Sequence, residues 1–107
     1  MEPTEPAVKA FIDAVNSGDR AAVYETLTDQ FTVSDDGSER DARTWVDRNL
    51  IASKARLAVE DERNGGSRLM ISIDDETWGH MDTYWDFTVN DGKVERFETG
   101  QASALSD

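Results

Sequence analysis

The chain has 107 residues, of which 37% are hydrophobic, enough to build one core and one domain. It contains no cysteine, which excludes disulfides, thiolate metal sites and cysteine nucleophiles. The net charge of −12, from 23 acidic and 11 basic residues, argues against nucleic acid and anionic membranes as partners. No apolar run approaches the length of a membrane span. We therefore expect one cytoplasmic domain over residues 1–107, ordered over about 5–101.

The N-terminal half of the chain predicts three helices. Apolar residues recur at helical spacing after Thr4, the expected N-cap, and Gly18 supplies the left-handed stop of this first helix. Asp19 is placed to cap a second helix over residues 20–27, and a third helix is expected over residues 42–51. A two-helix hairpin is too narrow to bury its own apolar stripe, so a sheet must cover it.

The remaining segments predict strands. Apolar and polar residues alternate in residues 31–34, 56–63, 68–73, 81–89 and 94–99. Asn64-Gly65-Gly66 and Asn90-Asp91-Gly92 are typical of tight hairpin turns. The alternation places Trp85 and Phe87 on the core face of their strand. Helices followed by a meander of strands indicate an α+β fold.

With this order of elements, the chain resembles the nuclear transport factor 2-like superfamily, particularly its small bacterial SnoaL-like members. The resemblance is carried by Val8 to Leu27, by Thr28 to Val33 and by Val89 to Phe97, and it covers about residues 5–101. It implies a cystatin-like cone: three N-terminal helices packed on a strongly curved, mostly antiparallel sheet, with a pocket at the open end. It also implies that no cofactor is needed and that the protein forms a homodimer through the convex face of the sheet.

Asp61 and Arg63 are the candidate catalytic residues. The resemblance implies that an enzyme of this fold places an acid or a base in an apolar cone, where desolvation adjusts its pKa for proton transfer. Both residues continue the face of Leu57 and Val59, so they reach the pocket mouth if the alternation is unbroken. The alternative is that the end of this strand has left the core and that both side chains are solvated.

Two other groups of polar residues have a structural and a functional interpretation. Asp35 and Asp36 follow the first strand, close to where the ketosteroid isomerases of the superfamily place their base, but with Gly37 they also form an ordinary turn. His80 and Asp82 could form an acid–base dyad, yet their alternation assigns them to the convex face. One histidine and scattered carboxylates show no metal-ligand spacing, so no metal site is expected.

Three aromatic residues are the candidate ligand-binding residues. Tyr24 and Trp45 lie on predicted helices and Trp85 lies on the strand that faces them, so together they could give apolar walls with hydroxyl and indole donors. The alternative is that they fill the core. Trp78, if exposed, and Tyr84 on the convex face are candidates for a contact between molecules.

Two functions remain open at this point. The first is a small-molecule-binding pocket protein of the SnoaL-like kind, with a neutral or cationic apolar ligand and, as an enzyme, isomerase, cyclase or dehydratase chemistry. The second is a non-catalytic, dimeric protein-interaction module whose cone is filled by its own side chains. One fold with many uses does not decide between them.

Overall fold

The structure, a computed structural model, describes residues 2–77 and 79–104. Three helices lie in the N-terminal half: α1 (Pro6–Ser17), α2 (Arg20–Glu25) and α3 (Ala42–Val46), which continues as a π-helical segment (Asp47–Ala52). The predictions for all three helices are therefore confirmed, with α2 two residues shorter than expected because the chain enters a strand at Leu27. The prediction for Trp78 lies outside the described residues.

The predicted caps differ in one case. Gly18 ends α1 at φ 75°, and the Asp19 side chain accepts a hydrogen bond from the Ala22 amide, as expected. The N-cap of α1 is Glu5 rather than Thr4. Thr4 instead donates from its hydroxyl and its amide to the Glu62 carboxylate, at 2.7 and 2.5 Å. Because Thr4 bonds Glu62 of β3, it does not cap α1, and the neighbouring Glu5 takes that position.

Six strands follow the helices or lie between them. They are β1 (Leu27–Asp35), β2 (Ser38–Arg40), β3 (Arg56–Arg63), β4 (Arg68–Asp75), β5 (Gly79–Asn90) and β6 (Lys93–Gln101). Short 3₁₀ turns cover Asn64–Gly66 and Ala102–Ala104. The sequence prediction missed β2, since its three residues are all exposed and carry no alternating apolar pattern.

The six strands form one sheet in the order β2-β1-β6-β5-β4-β3. Every neighbouring pair is antiparallel except β1 and β6, which run parallel. The helices pack on one face of this curved sheet. The predicted fold, an α+β cone with helices in the concavity of a mostly antiparallel sheet, is confirmed.

The concave face of the sheet carries the core. Trp85 and Phe97 are fully buried there, beside Phe11 of α1, with ring centroids between 5.0 and 6.1 Å apart. The predicted inward orientation of Trp85 and Phe87 is thus confirmed. His80, with 58% of its side chain exposed, lies on the opposite face.

A β-bulge interrupts β3. Val59 pairs with Ile71, but Asp61 pairs with Met70, so Glu60 is an extra residue on this strand. Ile71 is buried in the core, whereas Met70 belongs to the convex face. Because one extra residue exchanges the two faces of a strand, the bulge decides where the end of β3 points.

Candidate functional site

A cavity of about 150 Å³ opens between α3, its π-helical continuation and the concave face of the sheet. Its apolar walls are Trp45, Leu50, Ile73, Met81 and Trp85. Leu50 and Trp85 are completely or almost completely buried, while Met81 is half-buried at the rim. The cavity therefore has a closed apolar floor and an open mouth.

Trp85 forms a rigid floor to this cavity. Its indole Nε1–H donates to the Thr83 hydroxyl at 3.0 Å, and that hydroxyl donates to the Ile71 carbonyl at 2.6 Å. The ring also packs against Phe97 at 5.0 Å and against Trp45 at 6.0 Å. With its N–H satisfied and its faces in contact, Trp85 offers a ligand a surface rather than a hydrogen bond.

Asp35 brings a carboxylate to the cavity wall. It ends β1 on the concave face, opposite Thr99 of β6 in the parallel register. Its Oδ2 accepts a hydrogen bond from the Trp45 indole Nε1–H at 3.0 Å. Asp35 is half-buried, and this bond holds its carboxylate against the aromatic wall. Its other oxygen remains available to a ligand, because no second side-chain partner is found within residues 2–77 and 79–104.

The π-helical segment places a second polar side chain at the wall. Asn49 lines the cavity and donates from Nδ2 to the Trp45 carbonyl at 3.1 Å. The Ala55 amide reaches the Leu50 carbonyl at 3.2 Å, an i to i+5 bond of the wider helix. Such segments are frequent at functional sites. Asn49 of this segment and Trp45 of the preceding α3 both line the cavity.

Thr99 provides a hydroxyl to the cavity. It is only 4% exposed and lines the cavity between Asp35 and Trp85, its register partners on either side. No fully buried side-chain oxygen of the described residues lacks a hydrogen-bond partner, and the Thr99 hydroxyl, for which no such bond is found in residues 2–77 and 79–104, therefore borders the open volume. A buried hydroxyl facing an open volume is ready to bond a ligand or a water molecule.

The charge at the mouth has one sign. Asp35, Asp36 and Asp75 lie around the opening, and no lysine, arginine or histidine of the described ranges lines it. Asp36 accepts a long hydrogen bond from the Gln101 amide at 3.4 Å, and Asp75 accepts from the Thr77 amide at 2.9 Å. Three carboxylates at the mouth favour a cation there, while Arg40 and Arg48 line the adjoining groove on the outer side of Asp35 and Trp45.

The predicted site residues separate in space. Trp45 and Trp85 line the cavity together; their binding of a ligand stays a prediction. Tyr24 lies elsewhere, with its hydroxyl donating to Asp47 at 2.9 Å and its ring between the guanidinium groups of Arg20 and Arg43. Partial burial raises the pKa of the Tyr24 hydroxyl, and Asp47 adds to this effect. Tyr24 does not line this cavity, since this cluster fixes the side chain between α2 and α3; its binding of a ligand stays a prediction.

Asp61 and Arg63 also lie outside the cavity. Their side chains are 53% and 39% exposed and pair with each other at 3.4 Å. They border a separate outer groove of about 280 Å³ with Met70 and Asp82 of the convex face. The predicted position at the pocket mouth is wrong because the bulge at Glu60 breaks the alternation on which it depended. Their catalytic role stays an untested prediction.

His80 lies between two carboxylates on the convex face. Its Nδ1 is 3.0 Å from Asp74 Oδ1, and its Nε2 is 3.2 Å from Asp82 Oδ1. The hydrogen bond with Asp74, with a smaller contribution from Asp82, raises the pKa of the His80 imidazole. This cluster faces solvent and does not reach the cavity.

Metal-ligand clusters and membrane-spanning helices are not found in residues 2–77 and 79–104. No three histidine and carboxylate side chains of these ranges are grouped so as to hold a metal ion. Within the same ranges, no helix has both the length and the apolar composition to cross a bilayer.

The sequence contains only a weak signal that Asp35 belongs to a site. That signal is the end of an apolar strand beside the sequence Asp35-Asp36-Gly37, which is equally typical of a turn. No sequence signal links Asp35 to Thr99, which it meets through the parallel pairing of β1 with β6, or to Trp45, which reaches it from α3.

Solved structures with the same fold were found, although no protein-family model matches the sequence and no curated protein is significantly similar to it. An NTF2-like protein of unknown function from Cytophaga hutchinsonii is 17% identical, with a TM-score of 0.74 over 92% of this chain and 89% of that one. A Mycobacterium tuberculosis protein in complex with estradiol-17β-hemisuccinate is 14% identical, with a TM-score of 0.73 over 92% and 93% of the two chains.

A third structure belongs to an enzyme. The epoxide hydrolase/cyclase-like enzyme SalBIII, which has a role in pyran ring formation in the polyether salinomycin, is 16% identical, with a TM-score of 0.68 over 90% of this chain and 88% of that one. Identities this low show a common architecture and not a common activity. Together with the helices in the concavity of the six-stranded sheet, they establish that this chain has the nuclear transport factor 2-like fold.

Proposed function

We propose that the protein binds a small, largely apolar molecule, neutral or cationic, in the cavity at the open end of the cone. The observation that carries this proposal is the combination of two indole walls with a half-buried carboxylate, Asp35, and a buried hydroxyl, Thr99. Ligand sites in proteins typically combine apolar walls with a few convergent polar groups. The proposed class is a SnoaL-like pocket protein.

Proton transfer without a cofactor is the chemistry that we propose for this site. Asp35 takes a proton from a carbon next to a substrate carbonyl and returns it to another atom of the same molecule. The Thr99 hydroxyl, on the register partner of Asp35, donates to the carbonyl oxygen as negative charge develops there. Isomerisation or dehydration follows this pattern, since the base is regenerated at the end.

A cavity-blocking variant with a matched control tests the binding site. Met81→Trp places a large ring at the cavity rim, whereas Met70→Trp places the same ring on the convex face. With benzyl alcohol as a neutral one-ring probe, we expect saturation-transfer NMR signals for the unchanged protein and for Met70→Trp, and at least a tenfold weaker signal for Met81→Trp. An unaltered signal in Met81→Trp would place binding elsewhere, and no signal in the unchanged protein would contradict the proposal.

One observation favours the second function, the non-catalytic module with a filled cone. Phe11, Trp85 and Phe97 occupy most of the interior, which leaves only about 150 Å³ open. Native mass spectrometry of freshly purified protein distinguishes the two: a retained small molecule supports the pocket protein. A cavity that does not bind benzyl alcohol supports the non-catalytic module.

We also propose a homodimer through the convex face. Tyr84 and Met70 are register partners there, both half-buried, and they form the most apolar part of that face. We expect Tyr84→Asp to convert dimers to monomers in size-exclusion chromatography, because a carboxylate at the centre of an interface is costly to desolvate. Asp91→Asn, at an exposed hairpin turn, should leave the elution volume unchanged. Dimers that persist in Tyr84→Asp would contradict this interface.

A further inference from the structure

We propose that the cavity at the open end of the cone selects a one-ring organic cation, that is, a single ring or a branched alkyl group of that size carrying a protonated amine. This inference rests on the proposed function and names the class of ligand. It follows from three properties of the cavity: its size, the sign of its charge and the position of its free hydrogen-bonding groups.

The size of the cavity limits the ligand to about one ring. A volume of about 150 Å³ is comparable to that of an engineered apolar cavity that binds benzene. The Trp85 indole at the floor of the cavity is held in position by its hydrogen bond to the Thr83 hydroxyl and by its contact with Phe97. A multi-ring ligand would have to displace these buried aromatic side chains or leave its further rings outside the mouth, where they gain no apolar burial.

The charge of the mouth selects a cation. Asp35 and Asp36 make no ion pair with any lysine, arginine or histidine in residues 2–77 and 79–104, and Asp75 adds a third carboxylate at the rim. Elsewhere on the sheet, carboxylates do have basic partners, such as Asp86 with Arg68 at 2.6 Å. Arg40 and Arg48 line the neighbouring groove beside Asp35 but form no ion pair with it in these ranges, so an ammonium group at the mouth would be the direct partner of the Asp35 and Asp36 carboxylates.

The remaining groups suit an ammonium ion more than a neutral polar group. The Asp36 carboxylate at the mouth can accept hydrogen bonds from an ammonium group, beside the negative charge of Asp35, and this leaves the free oxygen of Asp35 and the Thr99 hydroxyl for the rest of the ligand. The Trp45 indole, whose N–H bonds Asp35, lines the same space, and a cation within about 6 Å of an indole centroid is attracted to its face. An ammonium ion can thus donate to oxygen on one side and contact indole on the other.

The test compares three probes of one shape at pH 7: benzylamine as the cation, benzyl alcohol as the neutral analogue and benzoate as the anion. We expect isothermal titration calorimetry to give benzylamine at least a tenfold lower Kd than benzyl alcohol, and no binding of benzoate. Equal affinities for benzylamine and benzyl alcohol would overturn the inference while leaving the proposed function intact. Absence of binding by all three would overturn both.

Two isosteric variants assign the charge effect to the pocket. Asp35→Asn should raise the Kd of benzylamine at least tenfold and change the Kd of benzyl alcohol less than twofold, because only the cation loses a counter-charge. Asp91→Asn removes the same charge from an exposed turn at the far end of β5 and should leave both affinities unchanged. Equal losses in the two variants would indicate a general effect of net charge and would refute the pocket as the cause.

A separate probe, 1-naphthylmethylamine, tests whether the cavity is limited to one ring, because it carries the same ammonium group on two fused rings. We expect it to bind at least tenfold more weakly than benzylamine. Should Asp35→Asn fail to fold, as judged by its circular dichroism spectrum, Asp36→Asn provides the second variant, because Asp36 is exposed at the same mouth. A naphthyl amine that binds as tightly as benzylamine would overturn the one-ring class.

Discussion

Replacing Phe11 with alanine is expected to lower the free energy of unfolding by about 3–5 kcal/mol. Phe11 is completely buried, and it is the only residue of α1 whose ring joins the aromatic cluster of the sheet in the described part of the chain. Its centroid lies 5.4 Å from that of Phe97, 5.8 Å from that of Phe87 and 6.1 Å from that of Trp85. Removing the ring leaves a void between the helix and the sheet that neither rigid layer can fill.

Urea unfolding followed by tryptophan fluorescence measures this effect. Phe11→Leu keeps most of the volume and should cost about 1–2 kcal/mol. Lys9→Ala, on the outer side of the same helix, should change stability by no more than about 0.5 kcal/mol. A loss of less than about 1.5 kcal/mol in Phe11→Ala would mean that the helix and the sheet do not depend on this contact.

Asn16→Ala is expected to lower the free energy of unfolding by about 2–4 kcal/mol, a large effect for a polar residue. The Asn16 amide closes a pair of hydrogen bonds with one residue of β3: its Nδ2 donates to the Leu57 carbonyl at 2.9 Å, and its Oδ1 accepts from the Leu57 amide at 2.7 Å. Because β3 is an edge strand, these backbone groups have no neighbouring strand to bond. Alanine leaves both of them without a protein partner in a partly buried position.

The same substitution has a local signature. Amide hydrogen exchange at Leu57 should accelerate more than exchange at Ile71, which lies in the interior strand β4. Asn16→Asp still accepts from the Leu57 amide, but its second oxygen faces the Leu57 carbonyl and repels it, so it should not restore the stability lost in Asn16→Ala. Asn90→Ala, at an exposed position at the end of β5, should change the free energy of unfolding by no more than about 0.5 kcal/mol. Similar stability for Asn16→Ala and Asn90→Ala would show that water replaces the Asn16 amide at the edge.

Most of the fold could be predicted because its signals are local. Gly18 and Asp19 mark the end of α1 and the start of α2 by backbone conformation and side-chain capping, which need no distant partner. The alternation around Trp85 and Phe87 likewise reports which face of β5 is buried. β2 was missed since an exposed, polar strand has no such pattern.

The site was harder to predict because it depends on register. A single extra residue at Glu60 moved Asp61 and Arg63 from the expected concave face to the outer groove, and nothing in the local sequence distinguishes a bulge from a regular strand. Tyr24 was misplaced for a related reason. An amphipathic pattern identifies a buried side of a helix but not which neighbour covers it, and in this fold Arg20, Arg43 and Asp47 surround the ring.

Residue type and spacing are enough to identify the layers of this protein: three helices with an apolar side, a meander of strands with one apolar face, and a surplus of acidic charge. These properties can be recognised without knowledge of contacts. The set of polar groups that share the cavity depends on long-range packing, since Asp35, Trp45 and Thr99 come from three different elements: β1 lies parallel to β6, and α3 packs beside them. Pairing between distant segments brings these residues together. The free energy of that pairing comes from contacts along the whole sheet and not from any one segment of the chain.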